Sequence, residues 1–425
     1  MPDRLLSGKR VLLGITGGIA AYKAADLCSK LVQAGALVDV IMTEAATRFV
    51  SPLTFSALSG RPARVDMWSE AGGDAIPHVH MAAAADLVII APLSANTLAK
   101  LALGLADNLL TSTMLATAAP WVLAPAMESH MWSNPITQAH VNTLHARGAA
   151  FVGPGSGHLA SGAEGVGRMA EPAEIIAGAR ALLARDGALK GRTVLVTAGG
   201  TQEAIDPVRY ITNASSGRMG VSLAEAARDM GAKVVMVYAP LAVPLPVGVE
   251  LVPARSTVEM CEAVLARLSA IDILIGAAAV ADFRPAEAAA QKIKKLPGQD
   301  GLLLSLVRTP DILGAVAEVR ALSGTPRVVI GFAAETRDLL ANAAAKLAAK
   351  RLDLIVANDV TEPGSGFAAD DNRVTLLYAD GSQEALPLLP KPIVAERVLG
   401  VALNLLHDAD ARQYRVPGRD RVEGT

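Results

Sequence analysis

Cysteine is nearly absent from this chain of 425 residues: only Cys28 and Cys261 occur. Two cysteines so far apart make neither a disulfide framework nor a zinc site, and they point to a reducing compartment. Aromatic residues are also few, at 3%. The apolar material is therefore Ala, Val, Leu and Ile, which suits buried parallel strands beneath Ala-rich helices. No charge of one sign dominates, because 39 Lys and Arg face 41 Asp and Glu for a net charge of −2. That balance argues against a nucleic-acid or polybasic membrane surface. Long hydrophobic runs are missing too, although the mean hydropathy is +0.37. A spanning helix needs about 18 apolar residues in a row. The stretch from Met114 to Met127 is broken by Thr117, Pro120 and Pro125, and Ile273 to Ala281 is only strand length. The N-terminal apolar run, interrupted by Thr16, Gly17 and Gly18, reads as a strand entering a glycine turn rather than a signal peptide. The expectation is a soluble, cytoplasmic protein without membrane or nucleic-acid partners. Its length predicts two or three domains.

What is present is a repeated beginning. Residues 8–18 read GKRVLLGITGG and residues 191–200 read GRTVLVTAGG. Each later reaches a second strand through a glycine corner, Gly35 before LVDVIM and Gly231 before KVVMVY. Strand, glycine turn, helix, Gly and strand make a βαβ unit, hence a right-handed crossover in a parallel sheet. The second copy carries an insertion from about Thr201 to Ser215. Further short apolar strands follow, at residues 86–91 and 121–124, then 272–276, 328–331 and 353–356. The predicted fold is α/β, with two doubly wound, Rossmann-like parallel-sheet domains spanning 1–190 and 191–425. In such sheets ligands sit outside the carboxyl ends of strands, so chemistry belongs to the loops there.

Neither glycine turn is the G-x-G-x-x-G dinucleotide fingerprint, which weakens a reading as an NAD enzyme. Glycines at a helix N-terminus still let backbone N–H groups approach a phosphate. Two such turns, each after the first strand of a βαβ unit, point to nucleotide or phosphate binding. Pro92-Leu93-Ser94-Ala95-Asn96-Thr97 follows a buried strand and offers hydroxyls and an amide. Read plainly it is a capped helix start, with Ser94 or Asn96 as cap.

The order GGIAAYK, PLSANT, PAM and G-x-G-R-M resembles the flavin-dependent cysteine decarboxylases. The order DPVRYITNASSGRMG, AAVADFRP, KIKK, GFAAET and ANDV resembles phosphopantothenoylcysteine synthetase. Together they resemble the bifunctional coenzyme A biosynthesis family, a phosphopantothenoylcysteine decarboxylase fused to a phosphopantothenate–cysteine ligase.

For the first half, the resemblance implies a flavodoxin-like domain that binds FMN through Gly17, Gly18, Ile19, Thr43, Ser94, Ala95, Asn96, Thr97, Ser112 and Met127. It makes His78 the active-site histidine, and imidazole suits proton handling near neutral pH. Arg168 would contact substrate. Two positions depart from the family pattern. Glu128 stands where Asn usually holds the substrate carboxylate, and Ser161 stands where a Cys usually donates a proton. A hydroxyl is a far weaker acid than a thiol.

For the second half, the resemblance implies that CTP activates 4'-phosphopantothenate as an acyl-cytidylate, which L-cysteine then attacks, with Mg²⁺ on the triphosphate. It makes Asn213 and Lys292 catalytic. It places CTP against Gly276, Ala277, Ala278, Asp282, Lys292, Pro310, Asp311, Ile312, Leu313, Phe332, Lys346 and Lys350. It gives no metal ligands. Lys346 and Lys350 share a helix face by their spacing. The resemblance also implies a homo-oligomer, trimeric through the decarboxylase and dimeric through the ligase, combining into a dodecamer. A ligase whose flavin-binding half no longer decarboxylates is the alternative that Ser161 and Glu128 raise.

Overall fold

The structure is a computed structural model. It describes residues 5–68, 76–294, 301–335, 338–359 and 369–414, so Lys295 of KIKK, Thr336 of GFAAET and Val360 of ANDV lie outside the described residues. The chain divides into two compact units, Met1–Arg185 and Asp186–Thr425.

The first unit is a five-stranded parallel sheet. Its strands are β1 (Arg10–Ile15), β2 (Leu37–Met42), β3 (Leu87–Leu93), β4 (Trp121–Pro125) and β5 (Ala150–Phe151), in the order β2-β1-β3-β4-β5. This is the flavodoxin-like order, which reverses between β1 and β3. Continuous apolar strands result because both faces are covered. Val11, Leu13 and Ile15 join one core with Leu27, Leu31 and Phe55. Leu12 points the other way, into a core with Ile41, Ile90, Leu110 and Met114. The helices are α1 (Ala21–Gln33), α2 (Glu44–Thr47), α3 (Pro52–Ser59), α4 (Pro77–Ala84), α5 (Ala95–Leu103), α6 (Leu109–Ala116), α7 (Ser129–Ser133), α8 (Pro135–Ala146) and α9 (Pro172–Leu183). Gly35 follows α1 with φ 90°, a left-handed position that glycine adopts without penalty. An antiparallel hairpin, β6 (Gly155–His158) and β7 (Glu164–Arg168), lies outside the sheet.

The second unit contains β8 (Thr193–Ala198), β9 (Gln202–Ala204), β10 (Tyr210–Thr212), β11 (Lys233–Tyr238), β12 (Glu250–Pro253), β13 (Ile273–Gly276), β14 (Phe283–Pro285), β15 (Leu306–Arg308), β16 (Val328–Glu335) and β17 (Leu354–Asp359). Six of these run parallel in the order β12-β11-β8-β13-β16-β17, the doubly wound arrangement that reverses between β8 and β13. Two further strands, Val374–Tyr378 and Gln383–Ala385, extend the sheet antiparallel at one edge. The doubly wound parallel sheet is thus as expected, with an antiparallel extension at one edge. The insertion after β8 folds as the hairpin β9–β10. The helices are α10 (Arg218–Asp229), α11 (Thr257–Leu265), α12 (Ile312–Ser323), α13 (Leu339–Ala349) and α14 (Lys391–Tyr414). Among the described residues no helix is long and apolar enough to cross a membrane.

Candidate active sites

In the first unit, the corner after β1 is built around Thr16, which is fully buried. Its hydroxyl donates to the Pro92 carbonyl and accepts from the Ser94 N–H, both at 2.8 Å. This ties the ends of β1 and β3 together where the strand order reverses. The two glycines that follow differ in purpose. A Cβ on Gly17 would stand 2.6 Å from Ala45 Cβ, so this glycine lets the turn lie against α2. A Cβ on Gly18 would meet nothing within 4 Å. Helix α1 begins just beyond, and its N-cap Ala20 offers no side-chain hydrogen bond to the first helical N–H groups. Such an uncapped N-terminus favours an anion.

A cavity of about 550 Å³ opens there. Gly18, Ile19, Tyr22 and Lys23 line it from the β1–α1 corner, Met127 and Glu128 from beyond β4, and His158, Leu159, Ser161 and Arg168 from the hairpin. Glycines seat the hairpin. A Cβ on Gly167 would be 2.1 Å from the Met127 carbonyl oxygen, and one on Gly165 would be 2.3 Å from Ser129 Oγ. Glu171 accepts from Lys23 Nζ at 2.8 Å and from Arg168 Nη2 at 3.0 Å. The bond from Lys23 is the main reason its carboxyl lies below the usual range; desolvation opposes it, and the charges of Lys23 and Arg168 add to the lowering. Glu128 is the N-cap of α7, with Oε2 accepting the His130 N–H at 2.7 Å. Ser161 is exposed at the hairpin tip, and beside it His158 Nε2 and Glu164 Oε1 pair at 3.0 Å.

The cavity thus gathers Gly18, Ile19, Met127, Glu128, Ser161 and Arg168 of the expected residues. Gly17, Thr43, Ser94, Ala95, Asn96, Thr97 and Ser112 stand outside its lining. Thr43 and Ser94 cap α2 and α5, each accepting a backbone N–H at 3.3 Å. Asn96 is exposed, Thr97 is buried, and Ser112 Oγ donates to the Ala106 carbonyl at 3.3 Å. His78 also lies outside the lining, on the first turn of α4. Its Nδ1 is buried without a hydrogen-bond partner among the described residues. The uncapped helix start, the open side of Gly18, the cations Lys23 and Arg168, and the apolar wall of Ile19, Met127 and Leu159 fit a phosphate-bearing planar ring.

In the second unit the same reversal point is again held by buried hydroxyls. Thr197 Oγ1 accepts the Ala278 N–H at 3.2 Å, and Thr201 Oγ1 accepts the Ala281 N–H at 2.9 Å. Behind them Thr257 donates from both N and Oγ1 to Glu203 Oε1, at 2.9 and 2.7 Å. The strand-end segment 276–282 is thereby fixed against the start of the sheet. It forms one wall of a cavity of about 390 Å³. That cavity is lined by Gly276, Ala278, Asp282, Pro310, Asp311, Ile312, Leu313, Phe332, Lys346 and Lys350, all expected from the sequence. Ala277 and Asn213 line a second cavity of about 660 Å³, which shares Ala278, Asp282, Phe332, Lys346 and Lys350 with the first. Lys346 donates to the Phe332 carbonyl at 2.9 Å. Lys350 pairs with Asp311, whose other oxygen caps α12 by accepting the Gly314 N–H at 3.0 Å. Asn213 donates from Nδ2 to the Val280 carbonyl at 2.9 Å. Lys292 is exposed and lines neither cavity. Among the described residues no three His, Cys, Asp or Glu side chains converge as a metal site.

A family model for the C-terminal domain of DNA/pantothenate metabolism flavoproteins matches residues 189–405, and a flavoprotein model matches residues 2–184. The coenzyme A biosynthesis bifunctional protein CoaBC of Vibrio cholerae is 46% identical, over 95% of this chain and 99% of its own length. The chain belongs to the CoaBC family. The CoaBC protein of Bacillus subtilis is 47% identical, over 93% of this chain and 97% of its own. The solved C-terminal domain of a CoaBC protein is 38% identical, covers 52% of this chain and 99% of that one, and has a TM-score of 0.44.

In this member of the CoaBC family, several cavity residues were not singled out from the sequence. Lys23, Arg308, Thr309 and Lys391 are among them. Lys391 is buried, and burial, reinforced by Arg218, lowers its pKa against the pull of Asp370 and Asp371. A lysine opening a helix looks like a solvated cap in sequence. Only the fold buries it. Thr16 did carry a legible signal, a hydroxyl directly after an apolar strand, and Thr197 and Thr201 flank the glycine turn that ends β8.

Proposed function

We propose that this chain catalyses two consecutive steps of coenzyme A biosynthesis. The second unit ligates L-cysteine to 4'-phosphopantothenate with CTP, and the first decarboxylates phosphopantothenoylcysteine to 4'-phosphopantetheine with FMN. The observation that carries the reading is full-length membership of a family whose relatives are named bifunctional. The gathering of nucleotide-side residues into one cavity supports it from the geometry.

In ligation, the pantothenate carboxylate attacks the α-phosphorus of CTP, pyrophosphate leaves, and the cysteine amine then displaces CMP. Lys292, Lys346 and Lys350 supply positive charge to the triphosphate, and Mg²⁺ enters as its counterion. Asp282 and Phe332 face the nucleoside beside Pro310–Leu313. Asn213 has two amide N–H donors. One is fixed on the Val280 carbonyl. The other is left to polarise the acyl carbonyl, a contribution of the kind worth about 10²–10³ in rate.

In decarboxylation, bound FMN supplies the two-electron chemistry that makes the carboxylate a leaving group. The Gly18 turn and the α1 N-terminus hold the phosphate, and Ile19 and Met127 flank the ring. Lys23 and Arg168 hold the substrate's anionic groups, His78 handles the thiol proton and Ser161 returns one. Glu128 is held by the His130 N–H, so its charge is partly spent on α7 rather than facing the substrate carboxylate alone. The chain works in the cytoplasm as a homo-oligomer, which light scattering on the full chain tests. The deciding assay supplies phosphopantothenate, cysteine and CTP to purified protein and follows both CMP and carbon dioxide. A yellow protein releasing both is expected. CMP without carbon dioxide would favour the ligase-only alternative raised by Ser161, and neither product would overturn the reading.

A further inference from the structure

The segment that carries Lys292 has no helix or strand of its own between Pro285 and Leu306 among the described residues. Its course is set instead by the tip of the β9–β10 hairpin. Asp206 sits in that tip with its side chain fully buried. Oδ1 accepts the Val208 and Arg209 N–H groups at 2.8 and 2.9 Å, which closes the turn. Oδ2 reaches outward and accepts the Ile293 N–H at 3.2 Å and Arg209 Nε at 3.1 Å. The Arg209 guanidinium then donates from Nη2 to the Ile293 carbonyl. A single ion pair therefore grips both backbone polar groups of Ile293, the residue next to Lys292. A backbone bond from the Ala289 N–H to the Ile205 carbonyl, 2.9 Å, repeats the attachment earlier in the same segment. The other end of the same hairpin leads directly into Asn213.

We infer that Asp206 is a positioning residue for ligation: with Arg209 it clamps Ile293 and so fixes where the Lys292 ammonium meets the CTP triphosphate. The inference rests on the reading of Lys292 as a phosphate-binding cation. Burial alone would raise the Asp206 carboxyl, but three backbone N–H groups and Arg209 outweigh it, so the acceptor stays ionised. An exposed lysine on an irregular segment otherwise samples many positions. Misplacement by about 1 Å costs on the order of 100-fold in rate.

Asp206→Asn tests this with little change of shape. Its Oδ1 still closes the turn, while an amide NH₂ replaces Oδ2 and faces the Ile293 N–H with a donor. The full chain should lose about 10- to 100-fold in kcat/KM for CTP. Decarboxylation of supplied phosphopantothenoylcysteine should be unchanged. Lys292→Gln should also lose ligation, and the double variant should be no slower than Lys292→Gln alone, because Asp206 acts through Lys292. Losses that multiply would overturn the inference, as would an Asp206→Asn protein within twofold of the parent while Lys292→Gln is impaired. An unimpaired Lys292→Gln would instead overturn the assignment of Lys292, and the clamp with it. Should Asp206→Asn fail to fold, Asp206→Ser keeps one acceptor for the turn without reaching Ile293 and enters the same cycle. In the unsubstituted protein the Ile293 amide should exchange slowly with deuterium. Exchange at the rate of open coil would refute the clamp without any substitution.

Discussion

Replacing Gly18 by alanine separates the two demands that a glycine turn answers. The position has open space where the Cβ would go, and its φ lies outside the left-handed region. Alanine fits the folded backbone there and restricts the unfolded one, which stabilises by about 0.4–1 kcal/mol. For a domain of this size each kcal/mol moves Tm by about 2–4 °C, so the apoprotein should melt unchanged or about 1–4 °C higher. The new methyl group points into the space beside the uncapped α1 N-terminus, where a phosphate must approach the backbone. FMN affinity should therefore fall at least about tenfold, or 1.4 kcal/mol. Gly17→Ala is the contrasting control. Its Cβ would stand 2.6 Å from Ala45 Cβ and 3.1 Å from the Ala45 carbonyl carbon. Overpacking of this kind costs about 1–3 kcal/mol, so its apoprotein should melt several degrees lower. Flavin titration followed by fluorescence quenching, with calorimetry on the stripped protein, measures both. A Gly18→Ala protein that binds FMN like the parent would refute the ligand-facing assignment. One that melts several degrees lower would refute the packing argument.

Three further outcomes are expected. Ser161→Cys should raise the decarboxylation kcat at pH 7–8, since a thiol of ordinary pKa about 8.5 donates a proton far more readily than a hydroxyl; an unchanged carbon dioxide release rate would show that protonation at the hairpin tip does not limit turnover. Asp311→Asn keeps an N-cap for α12 but removes the carboxylate paired with Lys350, so Tm should hold and KM for CTP should fall at low salt; a KM that rises would mean that Lys350 needs this partner for its position. Glu171 has a folded pKa below its unfolded one, so its contribution to stability is complete above the ordinary Glu range near about 4.3 and is lost as pH falls through the lower folded value. Glu171→Gln should accordingly flatten the acid side of the melting profile of the first unit, and an unaltered acid limb would remove the Lys23–Glu171–Arg168 cluster as a source of stability.

The sheet strands were legible because each is a short apolar run bounded by Gly, Pro or polar residues, and a strand buried on both faces allows little else. The antiparallel edge was not, because VTLLY and QEA carry no mark of direction. Strand direction depends on the length and route of the connection. The cavity residues of the second unit were found through motifs that lie at strand ends, where the topology must bring them together. Arg308 and Lys391 carried no such mark, since their approach to the cavity depends on the β14–β15 pairing and on the start of α14.

The sequence by itself determined two doubly wound halves and the strand-end loops that line the cavities, because periodicity and glycine placement act locally. Tertiary structure alone decided what each polar group is occupied with. It couples Lys350 to Asp311 and spends one Asn213 N–H on the Val280 carbonyl. It also holds the Ile293 N–H on Asp206, 87 positions away along the chain. Hydrogen bonds of that separation are chosen by whichever donors and acceptors folding leaves unsatisfied, and no local pattern records them.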